Sequence, residues 1–261
     1  MGKVVINNIN KYFPVEKGKS ESVQVLKNIN FSVKEQEVIA IIGGSGCGKT
    51  TLLRIISGLT ESTSGEILIN EKKLSDSNHD VGMVFQQPGL MPWLKTIDNI
   101  ELSLELKSVP KEKRTQLAME YLKLVGLENA KSQYPNQLSG GMQQRVGLAR
   151  ALAVNPEILL MDEPFGALDA QTKETLQGEV LRIHEETKKT IIFVTHDLDE
   201  AVYLADRVII LAPHPGRIVE IVDVNIPRPR PIPAEARSLK EFIDKRYYVW
   251  KRLKEITPET A

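Results

Sequence analysis

The run GGSGCGKTT at positions 43–51 constrains the fold more than any other stretch of the chain. It matches the spacing G-x-x-x-x-G-K-[ST], with Gly43, Gly48, Lys49 and Thr50 in the fixed places. The apolar run VIAII precedes it and TLLRIISGL, with helical spacing, follows. A strand, a glycine-rich turn and a helix are therefore expected in that order. Glycines let the backbone curl until successive N–H groups face one anion. The first turn of the helix adds its positive end. Gly43, Gly44, Ser45, Gly46, Cys47, Gly48, Lys49, Thr50 and Thr51 are thus expected to surround nucleotide phosphates. Lys49 would neutralise the β- and γ-phosphates, and the Thr50 hydroxyl suits Mg²⁺. By itself the motif leaves a kinase, a GTPase and a transport ATPase open.

Five other short runs resemble VIAIIG: VVINNI (4–9), VGMVF (81–85), EILLMDE (157–163), TIIFVTH (190–196) and RVIIL (207–211). Continuous apolar runs of this length predict strands buried on both faces. Helical stretches such as 141–155 and 170–189 lie between them, which argues for an α/β core with a mostly parallel sheet. Ligands in such sheets gather at the carboxyl ends of the strands. From about 88 to 157 the patterns are helical, which predicts a helical subdomain inserted into the core. PRPRPIPAEA (227–236) predicts an extended connector. Beyond it, Leu239, Phe242, Ile243, Trp250 and Leu253 stand at helical spacing among charges. The expected division is 1–225 for the main domain and 226–261 for connector and tail.

EILLMDEP places Asp162 and Glu163 at the end of an apolar strand. Side chains alternate along a strand, so the two carboxylates face opposite ways. Asp162 would serve the metal, and Glu163 would orient and deprotonate a water at the γ-phosphate.

The 261 residues carry 34 Lys+Arg against 34 Asp+Glu, a net charge of +0. That balance gives no electrostatic ground for a nucleic-acid partner. No run reaches the roughly 18 apolar residues of a membrane span, and the N-terminus lacks the apolar region of a secretory signal. A single cysteine excludes an internal disulfide and fits a reducing compartment. Cys47 lies within the phosphate loop, where thiol reagents are expected to block nucleotide and the helix end to lower its pKa. An inert small filler is the competing reading.

LSGGMQQR (138–145) opens another helix with a Ser and two Gly, a second anion-binding end. Phosphate loop, LSGG and MDEP together resemble the ATP-binding cassette (ABC) ATPases over about residues 3 to 225. The resemblance implies a RecA-like P-loop core, an N-terminal antiparallel β subdomain and an inserted α-helical subdomain. It implies ATP and Mg²⁺, with Thr50, Gln86 and Asp162 at the metal. It also implies two cassettes paired head-to-tail, identical or related, in which Ser139, Gly140 and Gly141 of one close on the ATP of the other. Gln86 resembles the Q-loop glutamine, Asp169 the D-loop aspartate and His196 the switch histidine at the γ-phosphate. Phe13 resembles the aromatic that stacks on adenine, with Tyr12 as its competitor. Met142 stands where Gln is commonest, and Gly44 where Pro or Ala is frequent.

FQQPGLMPWLKTIDNI, MDEPFGALDAQTKETLQ and FVTHDLDEAVYLADRVIILAPHPGRIVE resemble the nitrate/sulfonate/taurine branch of importers. This implies a peripheral subunit on the cytoplasmic face of the membrane, two permease subunits and an extracytoplasmic substrate-binding protein. Trp93 and Leu94 would face the permease, or else pack within the subdomain. Importers of bicarbonate or of vitamin and pyrimidine precursors belong to the same branch. An exporter cassette and a soluble ABC protein remain alternatives.

Overall fold

The computed structural model describes residues 4–15, 22–74 and 81–256. Its strands are β1 (Val4–Pro14), β2 (Ser22–Val33), β3 (Val38–Gly43), β4 (Ser64–Ile69), β5 (Lys72–Lys73), β6 (Val81–Val84), β7 (Ile158–Asp162), β8 (Thr190–Val194), β9 (Arg207–Ala212) and β10 (Arg217–Asp223). Its α-helices are α1 (Lys49–Ile56), α2 (Thr96–Leu106), α3 (Lys111–Leu124), α4 (Gly140–Ala153), α5 (Ala170–Thr187), α6 (Leu198–Leu204), α7 (Pro233–Ala236) and α8 (Lys240–Ile256). The chain divides into two compact units, Met1–Asn78 with Thr190–Ala261, and His79–Lys189.

In the first unit β3 lies between β8 and β9, parallel to both. All six of its residues are buried, as are all five of β8. Such strands need apolar side chains on both faces, and each fully buried Val, Leu or Ile contributes about 1.5–3 kcal/mol relative to exposure. β10 extends this sheet antiparallel to β9. The second sheet is antiparallel, with β1 between β2 and β4 and β5 beyond β4.

The runs 4–9 and 81–85 differ from the expectation of burial on both faces. β1 buries Val4, Ile6 and Ile9 but leaves Asn8 exposed, and β6 alternates between buried and half-buried positions. Strands β2, β4 and β10 have no apolar run to announce them. In β2 the signal is alternation: Ile29, Phe31 and Val33 are buried, while Asn28, Asn30 and Ser32 are exposed. This is the pattern of an antiparallel strand with one wet face.

In the second unit β6 and β7 pair in parallel, with Val84 opposite Met161. Helices α2, α3 and α4 pack on one another through Ile100, Leu104, Ala118, Leu122, Val146 and Leu152, all buried. Gly147 of α4 lets Pro88 approach, since a Cβ there would lie 3.2 Å from the proline. Among the described residues no helix is long and apolar enough to cross a membrane.

The tail from 224 to 256 packs within the first unit. α8 packs on α6 and β9 and buries Phe242 and Val249. Of the five apolar residues at helical spacing, Phe242 alone is buried, while Ile243 and Trp250 are exposed. Tyr247 stacks on Trp250 at 5.6 Å, and the Lys254 ammonium sits 4.8 Å from the indole.

Candidate functional site

The phosphate loop leaves the carboxyl end of β3 and enters α1 at Gly48, its N-cap, at φ 90°. A Cβ at Gly48 would also meet the Leu26 side chain at 2.7 Å. Gly43 is closed in more tightly still, because a Cβ there would lie 2.5 Å from the Leu211 carbonyl and 2.6 Å from Cys47 Sγ. Neighbouring β9 and the loop itself thus require glycine at this position. Gly44 has open space around it. Lys49, 8% exposed, donates from Nζ to the carbonyls of Gly43 at 2.9 Å and Gly44 at 3.3 Å. Those bonds hold the ammonium over the concave side of the loop. Ser45 and Gly46 are exposed, while Thr50 and Thr51 are half-buried.

Cys47 departs from the expected reactivity. The thiol is fully buried, and burial pushes its pKa up more than nearby Lys49 pulls it down. A buried neutral thiol is a poor nucleophile, so the filler reading describes it.

His196 follows β8, which runs parallel to β3 with Val194 opposite Ile41. The bond from Thr195 N to Ile41 O at 3.2 Å continues the pairing past the strand end. His196 therefore emerges at the same sheet edge as the phosphate loop, and it is exposed. The next residue, Asp197, caps α6 by accepting from Asp199 N at 2.7 Å and Glu200 N at 3.2 Å. Phe13, near the end of β1, is 39% exposed and carries the Lys11 ammonium 4.7 Å from its ring centre. Lys11 pairs across with Leu26, the residue that packs on Gly48. Tyr12 is exposed to the same degree, 40%.

In the second unit Asp162 ends β7 and is buried, and Glu163 follows with φ 44°. Left-handed backbone at a non-glycine residue is a strained arrangement. It aims the Glu163 side chain at Gln86, whose Nε2 donates to Oε2 at 3.5 Å. Gln86 stands at the carboxyl end of β6, so β6 and β7 bring the two together. Ser139 caps α4, its hydroxyl accepting from Met142 N at 3.3 Å. Gly141 lies under Thr172, whose Cγ2 would be 2.3 Å from a Cβ. Asp169 caps α5 through Thr172 N at 3.0 Å, and the Thr172 hydroxyl and amide hold its carboxyl below the usual range. A cleft of about 430 Å³ is lined by Gln86, Pro88, Leu90, Gly140, Gln143 and Leu168.

Sequence reading missed the residues that hold the loop after Gln86. Gln144 Nε2 donates to Phe85 O at 3.1 Å. Arg150 donates to Gly89 O at 2.9 Å and Pro88 O at 2.5 Å. Fully buried Asn99 accepts from Met91 N at 2.7 Å and donates to the carbonyls of Met91, Leu94 and Lys95. A polar residue on the apolar face of a helix was the available signal. The loop so fixed presents Trp93, 71% exposed, with Leu94 half-buried.

A glycine-shaped phosphate loop on a parallel strand, flanked by an antiparallel sheet, defines a P-loop ATPase cassette. The ABC transporter family matches residues 26–166, and the chain belongs to that family. It is 49% identical over 97% of its length to an uncharacterized ABC transporter ATP-binding protein of Methanocaldococcus jannaschii, covering 92% of that protein. It is 44% identical to the aliphatic sulfonates import ATP-binding protein SsuB of Bacillus cereus, covering 87% of this chain and 88% of that one. With the taurine import ATP-binding protein TauB of Escherichia coli O157:H7 it shares 43%, covering 88% and 91%. Among solved structures, the dimeric cassette MJ0796 in a post-hydrolysis state bound to ADP and Pi superposes with a TM-score of 0.74 at 39% identity. That match spans 84% of this chain and 98% of that one. The chain is an ATP-binding subunit with ATPase activity, of the kind that works with permease components.

Proposed function

We propose that this chain is the ATP-hydrolysing subunit of an importer for a small anion such as a sulfonate, taurine or nitrate. The observation that carries the reading is the 43–44% identity, over most of the chain, to subunits named for import of aliphatic sulfonates and taurine. Residues 1–225 act as the cassette, 88–157 as its helical insert and 226–261 as its tail. It works on the cytoplasmic face of the membrane, beneath two permeases fed by an extracytoplasmic binding protein. Trp93 and Leu94 face the permease.

Phe13 stacks on adenine, and residues 43–51 hold the phosphates. The Thr50 hydroxyl, the Gln86 carbonyl and the Asp162 carboxylate are hard oxygen donors, few in number. Such a set fits Mg²⁺, which keeps several waters and substrate oxygens; bound there, the ion would offset charge on the β- and γ-phosphates. Glu163 takes a proton from the attacking water, Gln86 orients that water, and His196 bonds the γ-phosphate. Ser139, Gly140 and Gly141 close on ATP held by a second copy or a related cassette, with Asp169 at that interface. Hydrolysis then reopens the pair.

Two measurements test this. Reconstituted with its permease and binding protein, the subunit should drive ATP-dependent uptake of labelled taurine, an alkanesulfonate or nitrate. Uptake of none of the three removes the anion assignment. ATPase activity per subunit should also rise steeply with protein concentration, and a dilute monomer at full rate contradicts the shared site.

A further inference from the structure

Helix α6 has seven residues, too few to hold a helical conformation unaided. Its N-cap, Asp197, directly follows His196, so the placement of α6 sets where the imidazole points. Both ends of α6 are gripped by the tail. At its first turn, Arg246 of α8 donates through Nε to Asp199 Oδ1, and Arg237 Nε lies 3.5 Å from Asp199 Oδ2. At its last turn Arg230, with 1% of its side chain exposed, donates to the carbonyls of Val202 at 3.2 Å, Tyr203, and Ala205 at 2.7 Å. Arg228 donates to Leu204 O at 2.8 Å. The Tyr203 hydroxyl returns a bond to Pro231 O at 3.1 Å. The last carbonyls of a helix lack partners within it, and cations there complement its negative end. The same tail thus satisfies one end of α6 and neutralises an acid at the other.

We propose that residues 224–256, after β10, are a positioning clamp for His196, with Arg246 and Arg230 as positioning residues that act on the hydrolytic step through α6. The proposal rests on the reading that His196 bonds the γ-phosphate. It places the control of turnover outside the nucleotide-binding residues. Anything that lifts α8 would slow hydrolysis while leaving ATP bound.

The test uses the full chain at a concentration where the parent turns over. Arg246→Ala should lower kcat by roughly fivefold or more and leave KM for ATP within about twofold, the signature of an interaction made in the transition state. An exposed ion pair adds little stability, so Tm should move by no more than about 2 °C. Arg246→Lys, which keeps a cation opposite Asp199, should retain at least about half the parent rate, whereas the uncharged Arg246→Met, which keeps most of the packing, should be as slow as Arg246→Ala. In a His196→Ala background, Arg246→Ala should have no further effect. If His196→Ala is slow but Arg246→Ala keeps the parent kcat, the clamp is overturned. Parent-like turnover by His196→Ala instead overturns the role of His196, and the clamp with it.

Discussion

Gln86 Nε2 donates to Glu163 Oε2 at 3.5 Å, across 77 residues of sequence. The contact exists because β6 and β7 run side by side and because the left-handed backbone at Glu163 turns its side chain toward the glutamine. Glu163→Gln keeps the shape and removes the carboxylate proposed as the base. ATP affinity should stay within a few-fold, while turnover falls by about 10²–10⁴. Nucleotide binding and steady-state rates check this, and a rate within about threefold of the parent would remove Glu163 from the role.

The two glycines at the start of the phosphate loop should behave oppositely. Gly43→Ala puts a methyl 2.5 Å from a carbonyl of β9 and should destabilise by about 1–3 kcal/mol and weaken ATP binding. Gly44→Ala meets nothing within 4 Å and should leave both unchanged. Thermal melts with and without ATP separate the two outcomes.

Phe13 and Tyr12 are adjacent and equally exposed, so one substitution at each decides which stacks on adenine. Base stacking on an aromatic is worth about 1–3 kcal/mol, so Phe13→Ala should weaken ATP binding by roughly tenfold or more. Tyr12→Ala should have no effect. Titration calorimetry reads both, and the reverse result would transfer the role to Tyr12.

The Cys47 thiol should resist maleimide in the folded chain and react on unfolding. Its folded pKa is raised by burial, so above the ordinary thiol range the unfolded chain holds fewer protons than the folded one. Stability linked to this group is therefore complete below the unfolded pKa and is lost as pH rises through the folded one. Cys47→Ala should flatten that alkaline loss in denaturant titrations. Rapid labelling of the folded chain at neutral pH would contradict the burial.

Asn99 satisfies four backbone groups of the loop that carries Trp93. Asn99→Leu should strip the side-chain bonds from Met91 N and Leu94 O, while Met91 O keeps Leu94 N and Lys95 O keeps the amide of residue 99, and cost about 1–3 kcal/mol. Hydrogen exchange at 89–95 should accelerate, and unchanged protection there would show that Gln144 and Arg150 suffice.

Much of this was legible without coordinates. The phosphate loop, the buried strands β3, β7, β8 and β9, and the Ser–Gly–Gly start of α4 follow from local backbone needs. Glycine supplies positive φ at Gly46 and Gly48, and an apolar run long enough for one strand must be buried wherever it goes. Strands β2, β4 and β10 were not legible from apolar runs, because one of their faces meets solvent.

The sequence alone determined where a strand, a glycine-rich turn and a helix follow one another at 38–56 and which segments must be interior, because those demands are met within a few consecutive residues. Tertiary structure decided the rest. It made the Cys47 thiol inert by covering it, turned Ile243 and Trp250 outward, and tied α6 to arginines more than twenty residues away. It also turned the loop at 43–51 from a motif into a fitted part, since the Leu211 carbonyl of β9 forbids a Cβ at Gly43 and the Leu26 side chain closes on Gly48, whose φ of 90° already calls for glycine. Contacts between distant segments depend on how strands pair and helices pack, and no window of the chain contains that information.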